Sequence, residues 1–387
     1  MSNTSTETTG LGAHPVIGDV GWLRGLKIVE VTTAVSAPLI GRVLSELGAE
    51  VVKVESRAKV DVNRARVPRP TDPEGFPAHE AFQLLHEANA GKHSVTLNLK
   101  TEQGKELLLD LLGDADVFIE NFVPGWLDRL DLSIAQLRER FPRLIIFSAS
   151  GYGQTGPLRT QRSYAPVMTA LAGIEGLIGY EDGQVMGCSA LALADLNCTF
   201  SGVFLVMAAL AGRQSTGQGT HIDLSQIEAA AILAGEAFIE QQLDGTVPGP
   251  AGNTDPDGTR WTLARTGDDD SWLAATGTVA ADDAARPGTG ELLERLRGRG
   301  IEASPVLTPA QVAADEHFTS RGFMQSVEHP HPLIGSLQIT SVPWRMEGTV
   351  PQVAAAAPLI GSSNAEVLGR YVPAGALSEL EREGVLK

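Results

Sequence analysis

The first half of the chain alternates between two hydrophobic periods. "LKIVEVTT" (26–33) is a short β-rich run, "APLIGRVLSELGA" (37–49) carries its apolar residues at helical spacing, and "EVVKVES" (50–56) returns to the strand pattern. Strand, helix and strand within about 30 residues predict a βαβ unit, and with it a parallel sheet and a right-handed crossover. A second round follows in "KHSVTLNL" (92–99), the helix "TEQGKELLLDLLGDA" (101–115) and the strand "DVFIENF" (116–122). A helix near 133–140 leads into "RLIIFSAS" (143–150), and 217–243 reads as a strand and then one long Ala-rich helix. The expected fold class is therefore α/β with an open parallel sheet. The rhythm breaks at "DGTVPGPAGNTDPDG" (244–258), a loop or linker by its Gly, Pro and Asp content. Residues 260–330 read as a smaller αβ region, 335–346 as strand-like, and 364–386 as helical.

Composition narrows the function classes. The chain has 387 residues, 43% hydrophobic and 20% charged, the range of an ordinary globular protein. A net charge of −17 opposes a general role on nucleic acid or an anionic membrane, and 5% aromatic residues give few stacking platforms for single strands. An anionic ligand would need local cations. The N-terminal half offers Arg57, Arg64, Arg66, Arg69, Lys92, Lys100, Arg129, Arg159 and Arg162. Cys188 and Cys198 have no CxxC spacing, which excludes a disulfide scaffold and suits a reducing cytoplasm. The prolines of His329–Pro332 prevent a helical ligand face, so no metal is expected there. The polar start "MSNTSTETTG" reads as a tail (1–20) rather than a signal peptide. The apolar stretch 190–212 is interrupted by Asp195, Asn197 and Thr199, which favours a buried helix over a membrane span.

Four segments carry candidate chemistry. "GYGQTG" (151–156) follows a strand and matches G-x-G-x-x-G, but Pro157 comes at once and no amphipathic helix opens to hold a pyrophosphate. "ENFVPGWLDRL" (120–130) lies at a strand end, where open α/β sheets bind ligands; Asn121 and Phe122 offer an amide and an aromatic face, and Arg129 a charge. "FSASGYG" lacks the first glycine of a serine-nucleophile elbow. Asp195 stands as one carboxylate in the apolar run "LALADLNCTFSGVFLVMAAL". It reads either as a helix N-cap or as a nucleophile, and the two are compatible, because a helix N-terminus favours the ionised form.

Taken in order, the motifs resemble the class III CoA-transferases, the group that includes formyl-CoA transferase, carnitine CoA-transferase and α-methylacyl-CoA racemase. The resemblance runs through "LRGLKIVEVTTAVSAPLIGRVLSELGAEVVKVE", "GKHSVTLNLKTEQGKELLLDLL", "ADVFIENFVPGWLDRLDL", "PRLIIFSASGYGQTGP", "RQSTGQGTHIDLSQIEAA" and the C-terminal "HPLIGSLQITSVPWRM", about residues 22–380. It implies that Asp195 is the catalytic aspartate, which attacks an acyl-CoA thioester and passes through aspartyl anhydride and aspartyl-CoA intermediates. It implies CoA contacts at Leu97 and Lys100, at Asn121, Phe122 and Arg129, and at Arg162, where formyl-CoA transferase carries a lysine. Thr33, Ala34, Val35 and Ser36 match the loop bordering the CoA thiol. The arginine that ends the second strand in the family is displaced by one, with Ser56 in its place and Arg57 next.

The resemblance further implies a Rossmann-like large domain from both chain ends (21–245 and 331–387), a linker and small domain (246–330), and an interlocked homodimer. CoA thioester is then substrate, with no permanently bound cofactor, and the partners are an acyl-CoA and a carboxylic acid. Two other readings stand beside CoA transfer. One is an acyl-CoA racemase or isomerase of the same family, although Ser163, Tyr164 and Ala165 occupy the place of the racemase's catalytic histidine segment. The other is a non-catalytic subunit paired with an active homologue, since the family's glycine-rich loop has no clear counterpart.

Overall fold

The computed structural model describes residues 16–65, 74–188, 192–255, 257–280 and 286–387. The chain divides into two units, one drawn from residues up to Tyr164, Ala194–Ala229 and Glu316–Lys387, the other from Ala165–Leu193 and Ala230–Asp315. Of the expected tail, residues 1–15 lie outside the described residues, and Val16–Gly18 form a short strand parallel to Thr349–Pro351.

The first unit is built on six parallel strands: β1 (Lys27–Val31), β2 (Glu50–Glu55), β3 (His93–Thr96), β4 (Val117–Glu120), β5 (Ile145–Ser150) and β6 (His221–Ser225). Their order across the sheet is β3-β2-β1-β4-β5-β6. Both faces are covered, which is why these strands read as nearly continuous apolar runs. Alternate residues go to opposite sides. Ile28, Val51, Val117, Ile119, Ile145 and Phe147 pack with α1 (Ser36–Glu46) and with a 24-residue helix, Leu193–Thr216. Val29, Val52, Val54, Val95, Phe118 and Ile146 pack with Leu107, Leu108, Leu111 and Leu112 of the helix Glu102–Gly113 and with Val367, Leu368, Val385 and Leu386 near the C-terminus. Strand order reverses between β1 and β4, and in such sheets ligands bind in the crevice at the carboxyl ends of those strands.

The C-terminal segment covers the β3 edge. Asn364 accepts the Thr96 N–H and donates to its hydroxyl, and the Asn98 N–H donates to the Val385 carbonyl. The single long helix expected after β6 is instead broken into Gln226–Ala231, a 3₁₀ turn at Ile232–Ala234 and Gly235–Asp244. The break has a local cause: Ala234 leaves helical geometry (φ −101°, ψ 18°), and a glycine restarts the helix. The second unit contains a three-stranded antiparallel sheet, ordered Ala303–Pro305, Trp272–Thr276, Trp261–Arg265. Leu273, Ala275 and Ala264 of that sheet pack on Leu292 and Leu296 of the helix Thr289–Gly298.

Candidate active site

The helix Leu193–Thr216 is the one helix among the described residues long and apolar enough to cross a membrane by length and composition. Its buried positions, Ala194, Cys198, Gly202, Val206 and Leu210, recur every four residues and give one stripe against the sheet. Gly202 permits the close approach, since a Cβ there would lie 2.4 Å from Ile40 of α1 and 3.0 Å from Phe147 of β5. Arg213 ties the far end, donating to Asp116 at 2.7 Å. The helix is therefore laid on the sheet as core, and its first turn comes to the N-terminus of α1.

Asp195 sits in that first turn. It is the third helical residue, not the N-cap, because the helix begins at Leu193. Its carboxylate lies instead beside the N–H and hydroxyl of Ser36, which favour its charged form. Thr199 completes the contact by donating to the carbonyls of Ser36 (3.0 Å) and Asp195 (2.8 Å). Two helix N-termini thus face one carboxylate, which favours the anion. Burial opposes them and prevails, so the carboxyl titrates above its ordinary value. Cys198, one turn along, is no rival nucleophile: burial, with Asp195 nearby, pushes its thiol up to about 12.

The segment between β1 and α1 is clamped at nearly every backbone group. The Thr33 N–H donates to Asn121 Oδ1 (2.9 Å) and the Thr33 carbonyl accepts from Asn121 Nδ2 (2.8 Å). The Ala34 N–H donates to Asp61 (3.2 Å), and its carbonyl accepts from Asn63 (2.6 Å). Below, the buried Lys53 donates to the Thr32 carbonyl at 2.9 Å and stands 3.2 Å from Asp61. Glu30 lies between Lys53 and Lys92, the latter 2.7 Å away. Burial brings the Lys92 ammonium down to about 8 against the pull of Glu30. Ala34 itself has φ +66°. Of the four non-glycine residues at positive φ among those described, it alone has no polar side chain to stabilise that conformation, which costs an alanine about 1 kcal/mol.

The structure thus brings Thr33, Ala34, Val35, Ser36, Asn121 and Asp195 together at the β1/β4 switch point. Phe122 stacks on Trp126 with ring centroids 4.4 Å apart. Arg57 donates to the Ile360 carbonyl at 2.7 Å. The Leu97 side chain is in the core, and Lys100, Arg129 and Arg162 are exposed. The 151–156 loop lines a cavity of about 290 Å³ with Asp223 and Glu228 in its wall and no cation, and the Gln154 N–H is taken by Asp223. That is poor ground for a phosphate. Sequence reasoning missed Asp61, Asn63, Lys53 and Glu30. A signal was there: Glu30 and Lys53 are charges inside strands that otherwise read as fully buried.

Glu120, at the end of β4, accepts the Phe122 N–H at 2.9 Å and lies by Ser148, whose hydroxyl meets His221 at 3.1 Å. Burial raises its carboxyl to about 7. The folded chain therefore holds this proton from about pH 4.5 to 7 while the unfolded chain loses it, so stability declines as pH rises through that window. Glu120→Gln is expected to flatten this slope, leaving stability unchanged near pH 4 and gaining about 3 kcal/mol at pH 8. Urea unfolding at the two pH values decides it, and parallel slopes in variant and wild type would refute it.

Glu80, His86 and His329 form a buried group whose ligand atoms lie within 4.8 Å of one another. His329 Nε2 and Glu80 Oε2 are 3.7 Å apart, so the spacing alone does not decide between a metal and a polar cluster. The His331 N–H donates to His329 Nδ1, which places that ring's proton on Nε2, the atom facing Glu80. A protonated Nε2 has no lone pair to give, so we assign the group as a polar cluster rather than a metal centre.

The sequence signature described as CoA-transferase family III matches residues 23–287 and 283–364. The chain belongs to CoA-transferase family III. Acetyl-CoA:oxalate CoA-transferase of Acetobacter aceti is 34% identical over 235 residues, 60% of this chain and 58% of that protein. The chain thus spans less than two thirds of that relative's length. Formyl-CoA:oxalate CoA-transferase of Streptomyces avermitilis is 27% identical over 89% of this chain and 94% of its own. Among solved structures, a CAIB/BAIF family protein from Brucella suis superposes with a TM-score of 0.80 at 26% identity, covering 90% of this chain and 98% of that one. The family III fold is therefore the frame in which the Ser36–Asp195 contact sits.

Proposed function

We propose that this chain is a CoA-transferase that moves CoA from an acyl-CoA to a carboxylic acid through covalent intermediates on Asp195. The observation that carries the reading is the Asp195 carboxylate, set at the switch-point crevice beside Ser36, with Thr199 bonding the carbonyls of both residues. An Asp195 oxygen adds to the thioester carbonyl, the C–S bond breaks, and CoA leaves as thiolate from an aspartyl anhydride. The thiolate attacks the aspartyl carbonyl, releasing the donor's acid and forming aspartyl-CoA. The acceptor carboxylate attacks the aspartyl-CoA carbonyl and displaces the thiolate, and thiolate attack on the acceptor's carbonyl in the new anhydride forms the new acyl-CoA and frees the Asp195 carboxylate. Charge balances at each step without a proton donor.

A cytoplasmic, interlocked homodimer belongs to the same proposal, supported by family membership and by two free cysteines. CoA contacts at Arg57, Leu97, Lys100, Asn121, Phe122, Arg129 and Arg162 are proposed by motif position, with Leu97 limited to its backbone by its burial. The racemase reading has nothing in its favour: an exposed tyrosine, Tyr164, stands where a histidine base is required. The test is incubation with a panel of acyl-CoAs, hydroxylamine quenching and peptide mass spectrometry. A hydroxamate at Asp195 with at least one donor is expected. Turnover with no adduct at Asp195 would overturn the covalent route, and α-carbon deuterium exchange without CoA transfer would restore the racemase.

A further inference from the structure

We propose that Asp61 and Asn63 are positioning residues for the reaction: they clamp the left-handed turn at Ala34 and thereby fix the Ser36 donors on Asp195. The inference rests on the covalent reading above and deepens it. Asp61 Oδ1 accepts two backbone N–H groups, from Ala34 (3.2 Å) and from Asn63 (2.9 Å). Asn63 returns the contact by donating to the Ala34 carbonyl. The peptide groups on both sides of Ala34 are thus held from the β2-following loop, while Asn121 holds Thr33 from β4.

Neither residue faces solvent, with Asp61 7% and Asn63 3% exposed. A buried carboxylate persists only with compensation. Here Lys53, 0% exposed, lies 3.2 Å from Asp61 Oδ2 and bonds the Thr32 carbonyl as well. The clamp and its counter-charge therefore grip the same three-residue turn from two directions. Two residues past Ala34, Ser36 sets its N–H and hydroxyl beside the Asp195 carboxylate, and Thr199 ties the Ser36 carbonyl (3.0 Å) to that of Asp195 (2.8 Å). A turn that relaxed toward ordinary alanine geometry would swing Ser36 away, and the carboxylate would lose the polar neighbour that aims it. Small displacements of this kind matter because attack requires a near-attack geometry.

The arrangement makes a specific demand on variants. Asn63→Ala removes one half of the clamp without exposing a buried charge, and Asp61→Ala removes the other half. Both are expected to slow single-turnover CoA release from an acyl-CoA by 10- to 100-fold, with KM for that acyl-CoA within threefold of wild type. A second substitution, Ala34→Gly, supplies a residue that adopts φ +66° freely. Placed in the Asn63→Ala background, it is expected to recover at least a third of the lost rate on a logarithmic scale. A purely structural loss elsewhere in the loop would not respond to it. Melting temperatures of the Asn63→Ala chain and wild type within a few degrees establish that the variant is folded.

Equal single-turnover rates in wild type and Asn63→Ala, with the Asp195 adduct present in both, overturn the clamp and leave the covalent reading intact. A slow Asn63→Ala that glycine at position 34 fails to improve also overturns it, because the strain at Ala34 is then irrelevant. A wild-type chain that transfers CoA without an Asp195 adduct overturns the covalent reading, and the clamp's proposed role with it.

Discussion

Asp195→Ala is expected to lower CoA transfer by at least 10³-fold, which corresponds to about 4 kcal/mol of lost transition-state stabilisation. The size follows from the chemistry, since a covalent route removed at its nucleophile leaves only binding and alignment. Alanine leaves the exposed cations Lys100, Arg129 and Arg162 in place, so the KM for acyl-CoA is expected to change by less than about threefold. The pH profile supplies an independent check. The attacking form is the carboxylate, and burial lifts its pKa above the usual range. Wild-type kcat/KM should therefore fall as pH drops through that raised value, about tenfold per unit below it. Stopped assays of CoA transfer between pH 4 and 8 measure both effects. Residual activity in Asp195→Ala within tenfold of wild type rules out the nucleophile assignment.

Arg64→Leu is expected to cost about 3–5 kcal/mol of stability, the largest effect on folding expected of any single change discussed. Arg64 has no exposed surface, yet its guanidinium joins Glu55 (2.7 and 3.1 Å), Glu80 (2.6 Å) and the Pro358 carbonyl (2.8 Å). Leucine ends where the Arg64 side chain reaches its Cδ, so it leaves the guanidinium's place empty and two carboxylates buried with one cation fewer. With a urea slope of about 3 kcal/mol per M, the midpoint should drop by about 1 to 1.7 M. Adding Glu80→Gln to Arg64→Leu is expected to return part of the loss, because the second change removes one of the stranded charges. Additive losses in the double variant argue that the guanidinium acts by packing alone.

The parallel sheet was legible because β-rich and helical periods alternate cleanly from Lys27 to Ser150, and the structure contains the strands so read. Asp195 was legible for a different reason, as a carboxylate with no local partner in an apolar helix. Its true partner was not: Ser36 lies 159 positions earlier, and nothing local in either segment announces the contact. The same applies to the Ala34 turn. Its positive φ depends on Asp61, Asn63 and Asn121, which reach it from separate elements. The capping role read for Asp195 failed on the start of its helix, which comes two residues sooner.

The way the C-terminus closes the sheet edge bears on how the chain is made. The Thr96 hydroxyl donates to the Leu386 carbonyl, a pairing that spans 290 residues. At translation rates of about 5–20 residues per second, β3 waits roughly 15 to 60 s for its cover to be synthesised. Until then its outer edge presents unpaired peptide groups of the sort that recruit other chains. The cover of this edge is therefore made long after the strand it closes. A heterologous host that translates quickly shortens the interval in which that edge stands open.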